Sequence, residues 1–151
     1  MNIPDKLPIE RIEDYHTHHL GKSRDGRLFW GYTTFVYSVP LSTIQDDNSL
    51  KFRRDYAVFH TFDRDGNYIN TQYYFGGTAD RCDQEELENK LDEWVSQLGE
   101  TEYTDIEIKL FQTVIDGFVF GLIPDEEFSL INLEPSATIS FLEPWDGGYY
   151  T

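Results

Sequence analysis

The sequence predicts an α+β fold: a mostly antiparallel sheet of six to eight strands, with one main amphipathic helix at about residues 83–98 packed on it. Three observations carry this. The 151 residues include 11 Phe, 10 Tyr and 3 Trp, and aromatic and β-branched side chains suit a half-buried pleated surface. Short runs of such residues are separated by Asp-Gly and Gly-Asn turn signals. Only one segment carries a sustained 3.6-residue apolar repeat. The length fits a single domain, residues 1–151, with no linker or internal repeat to divide it.

Taken in order, residues 1–14 read as an irregular or briefly helical lead-in punctuated by Pro4 and Pro8, and residues 15–20 as a short strand ending near the Asp25-Gly26 turn. Residues 27–41, rich in Phe, Tyr, Val and Thr, read as one long strand ended by Pro40. Residues 42–54 read as a polar loop holding Asp46, Asp47 and the cations Lys51, Arg53 and Arg54. A hairpin follows, with strands over 55–63 and 68–76 around Arg64-Asp65-Gly66-Asn67.

In the helix, Leu87, Leu91, Trp94, Val95 and Leu98 share one face. Asp83 with Glu86 makes a capping-box pattern, Gly99 suits the C′ position, and the acids of the first turns suit the helix dipole. Residues 103–115 alternate, with Ile106, Ile108, Leu110 and Val114 on one face. Asp116-Gly117 then turns the chain into a strand over 118–123. Residues 128–133 and 137–142 read as two more strands separated by Pro135, and the tail from Glu143 to Tyr150 lacks periodicity.

Charge is divided unevenly. Residues 1–79 carry 10 Asp/Glu against 9 Lys/Arg, whereas residues 80–151 carry 18 against 3, which accounts for nearly all of the net charge of −16. If the acids of the second half gather in one patch, that patch attracts cationic partners and repels phosphate, which argues against nucleic acid and anionic membrane as ligands. The N-terminal residues contain no apolar signal region, and no run is long enough to span a membrane. The single cysteine, Cys82, fits a cytoplasmic setting.

Catalytic signals are absent. No nucleophile elbow, phosphate loop or dinucleotide fingerprint occurs, so no cofactor and no catalytic residue is expected. Asp63-Arg64-Asp65-Gly66-Asn67 has too few acids before its glycine for a calcium loop and reads as a turn. Acids surround Cys82 and oppose ionisation of its thiol. Asp125, Glu126, Glu127, Glu134, Glu143 and Asp146 lie near Phe128, Trp145, Tyr149 and Tyr150 in sequence. That mixture of carboxylates and aromatics suits recognition of Arg and Lys, or is a solvated acidic face with Trp145 tucking the tail onto the core.

Asp14-Tyr15-His16-Thr17-His18-His19 resembles the first motif of the polymerase-and-histidinol-phosphatase metal hydrolases, in which Asp-x-His-x-His follows a strand. The resemblance implies zinc or manganese on His16 and His18, which a strand would point to one face. Such sites need several more ligands, and the only histidine beyond residue 19 is His60. The competing reading packs one or two of these histidines against the aromatic sheet and leaves His19 exposed. Separately, Phe141-Leu-Glu-Pro-Trp-Asp-Gly-Gly-Tyr-Tyr-Thr151, with Gly117-Phe-Val-Phe-Gly-Leu122, resembles small uncharacterised bacterial proteins ending in Glu-Pro-Trp-Asp-Gly. Some of those are labelled formate hydrogenlyase regulatory proteins. This resemblance implies a bacterial origin and no particular activity.

The expectation is a non-catalytic, immunity- or inhibitor-like acidic module that covers a basic protein surface. The alternatives are a metal-dependent hydrolase or metal-binding protein using His16 and His18, and a small-ligand pocket between helix and sheet. Exposed edges of long aromatic strands also allow a homodimer.

Overall fold

The computed structural model describes residues 1–45 and 48–151. The expected Asp46 and Asp47 of the polar loop lie outside the described residues. Twelve strands are present among the described residues: β1 (Leu7–Ile9), β2 (His19–Ser23), β3 (Leu28–Tyr37), β4 (Arg53–Phe62), β5 (Tyr68–Thr78), β6 (Thr101–Tyr103), β7 (Ile106–Ile108), β8 (Gln112–Ile115), β9 (Phe118–Asp125), β10 (Leu130–Glu134), β11 (Ser140–Phe141) and β12 (Tyr149–Tyr150). A one-turn helix α1 (Ser49–Phe52) precedes β4, and the main helix α2 is Gln84–Gln97.

Strand accounts for 44% of the chain and helix for 14%. The fold is therefore mostly β, with three antiparallel sheets among the described residues where one sheet of six to eight strands was expected. The first sheet has the order β5-β4-β3-β2-β6, the second β12-β11-β10-β9-β8, and β1 pairs with β7.

The layers follow from strand alternation. On β3 and β4, Phe29, Ala57 and Phe59 face α2, where they meet Leu87, Leu91, Trp94 and Val95. Trp30, Tyr32, Tyr56, Val58 and Phe62 face the other way, onto Phe120, Leu122, Ile131, Leu133 and Phe141 of the second sheet. Both faces of the first sheet are thus covered, which explains why β4 is buried from Asp55 to Phe62. Gly21 lets β6 approach β2, since a Cβ there would run into the Glu102 carbonyl.

Several elements differ from expectation. Residues 13–18 form a turn rather than a strand, and pairing begins at His19. The lead-in contributes β1, which pairs with β7. The expected polar loop at 42–54 contains α1, a 3-10 turn at Leu41–Thr43 takes up the end of the expected strand, and Arg53 and Arg54 open β4. The alternating segment 103–115 is not one strand: β6 joins β2, β7 joins β1 and β8 joins β9. The alternation slips at Phe111, which is buried, so that Ile115 points inward and Val114 outward.

The helix begins and ends where expected, with Asp83 accepting from the Glu85 N–H at 3.0 Å and Gly99 at φ +83°. Glu86 accepts from the Tyr74 hydroxyl, so it ties the helix to β5. Asp116 and Gly117 both adopt positive φ (53° and 85°), as a two-residue hairpin of this twist requires. No helix among the described residues is long and apolar enough to cross a membrane.

Candidate functional site

Inward residues of the second sheet, Phe120, Leu122, Ile131, Leu133 and Phe141, fill the core. Alternation sends Val114, Val119, Ile123, Leu130, Asn132, Ser140 and Tyr150 to the opposite face. The register agrees: Val114 pairs with Val119, Ile123 with Asn132, and Ser140 with both Asn132 and Tyr150. No described layer covers this face. Val114 and Tyr150 are each 65% exposed.

Carboxylates border that apolar centre. Asp125, Glu126 and Glu127 lie at the β9–β10 turn beside Phe128, which is 66% exposed. The β11–β12 connection brings Glu143 and Asp146 to the same end of the sheet, because Phe141 pairs with Ile131 and Tyr149. Glu134 lies at the opposite end, beside Gly121, where its carboxylate accepts from the Ala137 N–H at 3.3 Å. None of these six acids forms an ion pair among the described residues. By contrast, Glu102, Glu100 and Asp116 are paired with Lys22, Arg24 and Arg54 from the first half of the chain.

Two expected partner-binding residues are committed internally. The Trp145 indole N–H donates to the Asn2 carbonyl at 2.8 Å, and the ring packs against the core. Tyr149 faces inward, with its hydroxyl 2.8 Å from Thr17 Oγ1 and its ring against Phe141. The single acidic patch is also not formed. The acids of α2 lie on the far side of the first sheet from the second sheet, so negative charge divides between two surfaces. Of this centre the sequence reading names Tyr150 alone; it does not single out Val119 and Ile123, and it puts Val114 on the face of Ile106 and Ile108, which turn inward. The available signal was Phe118-Val-Phe-Gly-Leu122, whose inward Phe120 and Leu122 force Val119 outward.

The histidines occupy separate environments. His16 sits in the turn, buried, with Nδ1 3.4 Å from Asp14 Oδ1 but out of line for a hydrogen bond. Burial pushes its pKa down, against the pull of Asp14. His18 is exposed, and its Nδ1 lies 3.3 Å from the Arg11 guanidinium, a cation where a metal ligand needs a free lone pair. His19, expected outside, is buried with Nε2 2.9 Å from Asp92. His16 and His18 therefore do not share one strand face, and no group of three or more His, Cys, Asp or Glu among the described residues is placed to hold a metal.

His60 is fully buried between the sheets, with Nε2 2.8 Å from the Tyr32 hydroxyl and Nδ1 2.7 Å from Thr71 Oγ1. Burial lowers its pKa to about 3, so it is a neutral member of a core network.

A cleft of about 360 Å³ opens between the first turns of α2 and strands β3 and β4, lined in part by Tyr15, Phe35, Arg53, Asp55 and Gln84. Its buried carboxylate is already engaged: Arg53 Nε donates to Asp55 Oδ1 at 2.8 Å and Gln84 Nε2 to Oδ2 at 3.1 Å. Arg53 also stacks over Phe35, 4.3 Å from the ring centre. Nearby Cys82 is pushed up to about 11 by burial and by Asp55, which keeps the thiol protonated at neutral pH.

No protein-family model matches the chain, and comparison with curated proteins and with solved structures yields no match.

Proposed function

We propose that the chain is a non-catalytic cytoplasmic module that binds a cationic protein through the open face of its second sheet. The observation that carries this reading is the uncovered apolar centre of Val114, Val119, Ile123 and Tyr150, bordered by six carboxylates without ion pairs among the described residues. An apolar centre with a charged rim is the usual anatomy of a specific protein interface. Rim charges raise the association rate and set salt sensitivity, while buried side chains at the centre supply most of the affinity. An immunity- or inhibitor-like role, covering a basic enzyme surface, fits this division.

The test begins with capture at low salt from the native cell, followed by reconstitution of the purified pair. The reading expects a basic partner released by salt. Glu126→Lys/Glu127→Lys should slow association about tenfold or more, and Val119→Asp should speed dissociation. Absence of any basic partner, or a purified pair indifferent to both variants, overturns it.

A further inference from the structure

Four strands form the edges of the two larger sheets: β6, β8 and β12, with 3, 4 and 2 residues, and β5, with 11. Short edges are protected by their brevity; long ones ordinarily carry charge, proline or a covering segment. Between its two register shifts, β5 carries no charge, proline or bulge along Asn70–Phe75. Residues 66–79 contain no Asp, Glu, Lys, Arg or Pro. Register shifts interrupt its pairing with β4 near each end, leaving Asn70–Phe75 as a regular run. The outward backbone groups of that run have no backbone partner among the described residues. Tyr73 and Phe75 flank this edge, 49% and 36% exposed.

We infer that β5 is a self-association edge, pairing antiparallel with β5 of a second copy to join the two first sheets into one ten-stranded sheet. The occupant follows from charge and symmetry. Two molecules each carrying −16 repel across most of their surfaces, and β5 offers a long neutral stretch where backbone groups can meet. Antiparallel pairing of a strand with itself has two-fold symmetry, so both copies present the same edge and the contact closes as a dimer. Regular antiparallel pairing fixes a residue of the Gln72–Tyr73 centre on the two-fold and brings the two Tyr73 rings near each other.

This edge is distinct from the open face of the second sheet, and its salt dependence has the opposite sign. Screening weakens binding of a cationic partner but strengthens association of two anions. Sedimentation equilibrium from micromolar to millimolar protein, at low and high salt, tests the inference. The expected result is a dimer that tightens with salt. Ile69→Lys/Tyr73→Lys, both at exposed positions, should weaken it by about tenfold or more with an unchanged far-ultraviolet spectrum, and Val119→Lys should leave it intact. A monomer at every concentration, a dimer indifferent to the β5 lysines, or a dimer lost with Val119→Lys overturns the inference.

Discussion

The Tyr149 hydroxyl donates to the Asp14 carboxylate, 2.9 Å from Oδ1 and 3.1 Å from Oδ2, and so ties β12 to the turn that holds His16. Burial works to raise the pKa of Asp14, but the Tyr149 hydroxyl, the His16 N–H and the His16 ring outweigh it, leaving it lowered. A carboxyl with a lowered folded pKa contributes stability above its ordinary value of 3.8, and that contribution is lost as pH falls through the folded value. Tyr149→Phe keeps the ring against Phe141 and removes the link. It should cost about 1.5 kcal/mol at neutral pH and flatten the acid limb below pH 4, read from urea midpoints.

His60 gives a second pH dependence with the same sign. Its folded pKa of about 3 lies below the ordinary 6.5, so the unfolded chain takes up a proton first, and stability falls as pH drops from 6.5 towards 3. His60→Gln can retain neutral hydrogen bonding to Tyr32 and Thr71 without titrating. Between pH 7 and pH 5 the parent protein should lose about 2 kcal/mol more than this variant. Equal losses would show that His60 is not the titrating group.

Arg53 and Asp55 form the ion pair at the base of the cleft, with the Asp55 side chain only 3% exposed. Arg53→Ala leaves a buried carboxylate short of its cation and should cost about 3–5 kcal/mol. Asp55→Asn removes the buried charge and should cost less. Denaturant titration of both variants checks the order.

The helix and the central hairpins were legible because their signals are local: the Leu87, Leu91, Trp94, Val95 stripe, the Asp83 cap, and the Asp-Gly turns at 65–66 and 116–117. The division into three sheets was not. Pro8 sits within β1, whose pairing with β7 depends on contacts about a hundred residues apart in sequence, and no local pattern records such a partner. The break at 109–111 was hidden because Leu110 and Phe111 are both apolar, so the slip in alternation leaves no polar marker. The six acids of the candidate surface were legible from composition. The role of Tyr149 was not, since an aromatic near carboxylates looks the same in sequence whether it faces a partner or its own core; Trp145 carried both readings, and the one that tucks the tail onto the core holds.

The most direct measurement of the central claim is amide hydrogen exchange on the chain alone and in complex with its purified salt-released partner. Protection gained on β8, β9, β10 and the 125–129 turn, with α2 unchanged, is the predicted result. Protection confined to α2 or to the 13–18 turn would contradict it, because the cationic partner would then sit on a different surface from the open sheet.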